Sequence, residues 1–309
     1  MATESIVAEL GAPVLPPPRV TRSSVLSDYW ALTKPEVNFL IVITTFAGFY
    51  LGRAAGWQNF PFLLSINAVL GTLLVASGTG TLNQYIERHF DAQMRRTARR
   101  PLAAGRLKAS AVLWFGIALS VLGSVYLAIA VNLLASALAM ATLLSYLLLY
   151  TPLKRKTPFC TLVGAFPGAM PPLIGWAAAS GKLAFEAWIL YAVLFLWQFP
   201  HFMAIAWMYR TDYTRAGYLV LPPDGDSRGC WVELQTLLPL LILVLVNLLV
   251  ALTSDSSLYL AGALLLSAGF LYYGVEFVLR RSNSAARRLL AASIIYLPSL
   301  FVLIMFSRS

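Results

Sequence analysis

Charge is what this sequence has least of. Only 12% of its 309 residues are charged, where a soluble domain carries about 25%. With 59% hydrophobic residues and a mean hydropathy of +0.73, a water-soluble globule is excluded. Cysteine is nearly absent too. Cys160 and Cys230 stand alone in separate segments, which argues against a disulfide framework or a cysteine-based metal site. Acids number only 13, leaving a net charge of +10. Such a balance can signal nucleic acid, but here the distribution of the basic residues explains it better, and no nucleic-acid partner is expected.

Long apolar runs are what the chain has in quantity. Windows long enough to cross a bilayer fall near 36–56, 62–86, 109–130, 132–151, 160–180, 185–208, 234–253, 258–279 and 287–306. The expected fold is an all-α polytopic membrane protein of about nine transmembrane helices around a central apolar cavity. Pro167, Pro171 and Pro172 share one span and should kink it. Residues 1–27 hold no apolar run and include PVLPPP. They read as a disordered cytoplasmic arm, leaving 28–309 as the transmembrane domain. No short apolar core with a cleavage site marks a signal peptide, and Glu4 and Glu9 speak against a mitochondrial transit segment.

The basic residues concentrate in alternate loops. Arg88 to Lys108 supply seven between the second and third spans, and Lys154, Arg155 and Lys156 lie between the fourth and fifth. Arg210, Arg215 and Arg228 follow the sixth, and Arg280, Arg281, Arg287 and Arg288 the eighth. The other loops carry only Arg53 and Lys182. By the positive-inside rule the basic loops, and the N-terminus with them, face the cytoplasm.

One polar stripe breaks the apolar pattern. Asn83, Glu87 and Asp91 recur every fourth residue at the end of the second apolar run, and arginines follow at once. On a helix, steps of four advance about 40° each, so the three side chains share one stripe. Carboxylates at i, i+4 repel, and beside a membrane core they are expensive. A divalent cation would offset that cost, because Mg²⁺ takes carboxylate and amide oxygens and needs few of them when a substrate brings phosphates. The neighbouring cations suit a diphosphate. Arg88, Arg96, Arg100 and Lys154 are the candidates for that contact, and the basic residues at large also serve as topology signals.

Asp212, in MYRTDYTRAGYLVLP, is either a loop ion pair or the other wall of the same site, holding metal. His201, in LFLWQFPHFMAIAW, is either a satisfied interhelical group or a ligand in an aromatic pocket. Neutral imidazole can bind haem iron. Glu276 should pair with Arg280 four residues on. Lys34, Glu36 and Asn38 mark the first helix start, where three polar groups could also approach the site.

These segments resemble the UbiA-type intramembrane prenyltransferases, whose hallmark is Asn-x-x-x-Asp/Glu-x-x-x-Asp after the second helix. The run Asn83, Glu87, Asp91, Met94, Arg96, Thr97, Arg100, Pro101 and Leu102 is similar to the pattern of the heme O synthase subfamily. GAMPPLIGWAAASG, LWQFPHF and DYTRAGYLVLP follow in the same order. The resemblance implies a Mg²⁺-dependent enzyme of the bacterial inner (plasma) membrane that joins farnesyl diphosphate to the vinyl group of heme b. It implies metal and catalytic roles for Asn83, Glu87, Asp91 and Asp212, and a haem-side contact for His201. It also names heme A synthase as a candidate recipient of the product. Two departures stand out. Thr211 occupies a position often acidic in the family, and His89 one often acidic in the subfamily.

Overall fold

The computed structural model describes residues 24–53, 60–222, 226–252 and 256–307; these residues form helices and turns, with no strand among them. Eight helical spans are long and apolar enough to cross a membrane. They are α3 (Phe62–Asp91), α4 (Ala109–Ala130), the α5 span from Leu133, the broken Cys160–Ser180 span, α9 (Phe185–Met208), Gly229–Leu252 within α11 (Asp226–Leu252), α12 (Ser257–Arg280) and α13 (Asn283–Ser307). The first expected crossing is the shorter α2 (Pro35–Leu51), of 17 residues, where a straight crossing needs about 20. Residues 54–56, the end of that expected span, lie outside the described residues. Among the described residues, eight helices are therefore of membrane length, and the shorter α2 stands at the remaining expected crossing.

Two further boundaries move. Of the expected arm, residues 1–23 lie outside the described residues. Its last residues are helical, in α1 (Val25–Leu32), where Ser24 caps the helix by accepting from the Ser27 N–H at 3.2 Å. Buried Asp28 anchors this helix, accepting from Arg106 Nε at 3.0 Å and Nη2 at 2.9 Å. The second span continues past residue 86 to Asp91. Hydropathy ends where polar residues begin, but the backbone has no reason to leave the helix while those side chains find partners.

Small residues let the helices approach. On α3, a Cβ added at Gly78 would lie 2.3 Å from Ser120 Oγ on α4. The α2 contact with α8 (Pro171–Ser180) is tighter: a Cβ at Gly48 would meet the Pro172 carbonyl oxygen at 2.2 Å, and one at Gly175 the Thr45 oxygen at 1.9 Å. Such backbone-to-backbone contact is how membrane helices gain packing energy without a hydrophobic driving force.

The predicted proline kink is a full break. α7 (Cys160–Gly168) ends and α8 starts at Pro171, because Pro171 and Pro172 cannot donate to the preceding turn. Gln198 of α9 fills the gap beside Gly168 and donates from Nε2 to the Ala165 carbonyl at 3.1 Å.

Another irregularity shapes the site. α5 (Leu133–Leu144) widens into a π-turn over Ser145–Tyr150 before the single turn α6 (Thr151–Leu153). π-turns inside helices often mark functional positions. Here it delivers Thr151 and Lys154 to the polar end of the bundle. The short α10 (Arg210–Arg215) lies at that end too. Contacts tie the basic loops together there: the Leu219 N–H donates to the Lys154 carbonyl at 2.7 Å, and Arg210 Nη1 to Asn283 Oδ1 at 2.9 Å.

Candidate active site

Asn83, Glu87 and Asp91 form one buried stripe along the last turns of α3, exposed by 2%, 5% and 1%. Each meets a cation from a different part of the chain. Lys34, just before α2, donates from Nζ to Asn83 Oδ1 at 2.9 Å. Lys154, just after α6, donates to both Glu87 oxygens, at 2.9 and 3.2 Å. Arg100 donates from Nη1 to Asp91 Oδ2 at 2.7 Å. The stripe is also bonded to itself and to the π-turn segment: Asn83 Nδ2 lies 3.0 Å from Glu87 Oε2 and 3.3 Å from Thr151 Oγ1.

Burial and charge compete in these pairs. Burial disfavours the Lys154 ammonium, but the Glu87 carboxylate outweighs it and holds its pKa well above the lysine range. The bonded partner of Lys34 is a neutral amide, and the Glu87 and Asp91 charges offset the lysine's burial only in part. Burial first, then the Arg100 and Lys154 charges, bring it down to about 7. Lys34 also holds a left-handed backbone, φ 53°, a conformation rare and costly for a residue with a Cβ. The surrounding fold keeps it because its side chain is fixed on α3.

The loop after α3 folds back over the stripe. Thr97 Oγ1 donates to the Asp91 carbonyl at 2.8 Å, and buried Met94 packs with Ala216 and Tyr218. Gly217, at φ +70°, makes the turn that brings Tyr218 under this loop. Asp212 is buried and accepts from the Arg96 N–H at 3.4 Å, and its other oxygen lies 3.5 Å from Arg215. Asp212 thus makes the loop ion pair and lines a cleft with Arg96 of the loop after α3.

Two clefts open here. One, of about 410 Å³, is lined by Ile86, Glu87, Phe90, Pro152, Arg155 and Tyr218, with Thr151 and Lys156. The other, of about 360 Å³, is lined by Arg95, Arg96, Met208, Tyr209, Thr211 and Asp212. Arg155 stands 4.1 Å over the Phe90 ring and, among the described residues, has no acidic partner. The Tyr218 hydroxyl is buried beside Glu87, and burial, then the Glu87 charge, raises its pKa far above that of a free phenol.

The structure does not bring every expected residue to this place. Arg88 folds onto its own helix, donating to the Tyr85 carbonyl at 2.7 Å with its guanidinium over the Tyr85 ring. One residue from Glu87, it lies about 100° around the helix from it. Arg96 reaches Asp212 through its backbone, and its guanidinium lies over Tyr209 at 5.3 Å. His201 is deep in α9, bonded through Nδ1 to Ser293 Oγ at 2.7 Å. Tyr218 and Arg155 were passed over in the sequence, where neither a lone tyrosine nor one arginine in a basic run stands out.

The donor chemistry fits a hard divalent cation. Asn83, Glu87, Asp91 and Asp212 offer only oxygens. Among the described residues no three carboxylates, imidazoles or thiols converge as a ready metal cage. That is the donor set expected where one or two carboxylates share a Mg²⁺ with substrate phosphates.

The UbiA prenyltransferase family model matches residues 41–300. The chain belongs to the UbiA prenyltransferase family. It is 48% identical to the protoheme IX farnesyltransferase of Solibacter usitatus, covering 92% of this chain and 99% of that one. It is 40% identical to the protein of the same name from Koribacter versatilis, covering 94% and 96%. Among solved structures, a digeranylgeranylglyceryl phosphate synthase superposes with a TM-score of 0.74 at 16% identity, covering 92% of this chain and 98% of that one. A UbiA homologue from Archaeoglobus fulgidus bound to GPP and Mg²⁺ gives 0.62 at 17% identity, covering 90% and 99%. For this UbiA family chain, the structural likenesses establish the fold.

Proposed function

We propose that this UbiA-family chain transfers the farnesyl group of farnesyl diphosphate to a vinyl group of heme b, releasing diphosphate and giving heme O. The observation that carries the reading is the interleaved stripe: three oxygen-bearing ligands on α3, each met by a cation from a separate segment. The near-full-length similarity to proteins named protoheme IX farnesyltransferase supports the choice of prenyl donor and acceptor.

The chemistry follows from the charges. The bond between the farnesyl carbon and the diphosphate oxygen breaks, and its electron pair leaves with the diphosphate. Lys34, Lys154 and Arg100 are the groups that would stabilise that growing charge, exchanging their carboxylate and amide partners for phosphate oxygens. Arg155 and Lys156 would meet the diphosphate at the cleft rim. Asn83, Glu87, Asp91 and Asp212 would hold Mg²⁺, which when bound supplies charge neutralisation at the phosphates. The apolar wall of Ile86, Phe90 and Pro152 would keep water from the allylic cation. The vinyl π pair of the porphyrin forms the new carbon–carbon bond. Water then adds at the adjacent carbon and loses a proton. His201 is the proposed haem-side contact.

The basic end of the bundle would face the cytoplasm across the bacterial plasma membrane, by the positive-inside rule, with residues 1–27 as a cytoplasmic arm. Handing the product to a heme A synthase is a separate proposal, tested by co-purification of the two. For the reaction itself, detergent-purified protein is incubated with heme b and farnesyl diphosphate, with Mg²⁺ or with chelator, and the pigments are weighed by mass spectrometry. A haem gaining a hydroxyfarnesyl unit only with metal is the expected result. Prenylation of an aromatic quinone precursor, with haem unchanged, would overturn the acceptor assignment.

A further inference from the structure

His201 sits in a hydrogen-bond circuit that determines which of its nitrogens carries the proton. Ser293 Oγ lies 2.6 Å from the Leu290 carbonyl oxygen and 2.7 Å from His201 Nδ1. A carbonyl cannot donate, so the single hydroxyl hydrogen must lie between Oγ and the Leu290 oxygen. A bare Nδ1 would then face a bare oxygen lone pair at hydrogen-bond distance. Nδ1 must therefore hold the proton and donate it to Ser293. In a neutral imidazole this leaves Nε2 unprotonated, with its lone pair in the ring plane.

The ring is also held in place. Trp197, one turn earlier on α9, stacks on His201 with centroids 4.6 Å apart and planes at 28°. The Trp197 indole N–H donates to the Ser293 backbone carbonyl at 2.8 Å, so the same residue of α13 fixes both rings. Phe202 closes edge-on at 5.5 Å. Among the described residues no group bonds Nε2, and it is not one of the sealed, unpartnered polar atoms. It therefore keeps some accessible surface. An oriented imidazole, with Nδ1–H held by an oxygen acceptor and Nε2 bare, is the arrangement that protein histidines use to bind a metal.

We propose that Ser293 is a positioning residue that fixes His201 in its Nδ1–H form, so that Nε2 is the axial ligand to the iron of the porphyrin acceptor. This rests on the haem reading above. It adds which nitrogen binds and what keeps it available. Iron ligation would place the porphyrin on the Nε2 side of the ring, away from Ser293.

The test uses the full chain in detergent, titrated with heme b and followed by resonance Raman spectroscopy of the reduced form. Wild type should show an iron–histidine stretch. His201→Ala should lose it, and added imidazole should restore it. Ser293→Ala should keep haem but bind it about tenfold more weakly, the size expected for losing an outer partner of a metal-bound histidine. Its stretch should move to lower wavenumber, because Nδ1–H has lost its acceptor, and Ser293→Thr should return it. A stretch that survives in His201→Ala overturns the ligand assignment. An unshifted stretch in Ser293→Ala overturns the positioning role. Haem that is bound and farnesylated by wild type without any iron–histidine stretch defeats this inference alone. Failure of wild type to bind or modify haem defeats the functional reading with it.

Discussion

Lys34 and Asn83 are 49 positions apart in the sequence and 2.9 Å apart through Nζ and Oδ1. The bond fastens the start of α2 to the metal-ligand stripe of α3 and holds Lys34 in a left-handed backbone. A charged donor held this way is placed to switch from the amide to a phosphate oxygen. Replacing Lys34 by Met should raise KM for farnesyl diphosphate by roughly 10- to 100-fold, the cost of about 1.5–3 kcal/mol for one charge-assisted hydrogen bond. The KM for haem should stay unchanged. Equal losses in both KM values would point to a folding defect instead.

Asp91→Ala and Asn83→Ala should abolish turnover while the protein still inserts into the membrane. Each variant removes an oxygen ligand and leaves a cation, Arg100 or Lys34, without its partner. Chelation of wild type should do the same reversibly. Turnover assays on membranes with matched protein content decide it; near-normal activity in both variants would remove the metal assignment.

The two arginines nearest Glu87 should behave differently. Arg155 lines the cleft beside Glu87 with no acidic partner among the described residues, so Arg155→Ala should weaken diphosphate binding several-fold at low salt and less at high salt. Arg88 is spent on the Tyr85 carbonyl and ring. Arg88→Ala should leave diphosphate affinity within about twofold. Binding isotherms with inorganic diphosphate at two ionic strengths separate them, and a larger effect from Arg88 would mean that the cleft is entered from the other face of α3.

Gly175→Leu should destabilise the bundle, since even a Cβ there lies 1.9 Å from the Thr45 oxygen. Backbone cannot move aside as a side chain can, so the cost should be at least the roughly 1–3 kcal/mol typical of overpacking. Gly105→Ala is the control. Its φ of +71° is unfavourable for Ala, but nothing lies within 4 Å, so it should cost about 1 kcal/mol. Thermal unfolding in detergent compares the two, and equal melting temperatures would refute the tight α2–α8 contact.

The sequence alone determined the solvent and the chemistry. Hydropathy dictates helices, because a bilayer leaves backbone groups no partners except one another. Spacing by four puts Asn83, Glu87 and Asp91 on one stripe whatever the rest of the chain does. Both are local properties, and local rules reach them. Helix ends were less legible, because α3 runs on to Asp91 only through partners that come from other segments. The same limit applies to the cations. In the sequence Arg88, Arg96, Arg100 and Lys154 are equivalent candidates in basic loops on one side of the membrane. Only the packed chain separates Arg100 and Lys154, which reach the carboxylates, from Arg88, which turns to its own helix. It also brings Tyr218 beside Glu87, Arg155 into the cleft, and Lys34, read in the sequence only as a group that could approach, onto Asn83. Which charges meet is decided by helix rotation and loop closure, and these depend on contacts such as Gly175 against Thr45 that no single segment contains.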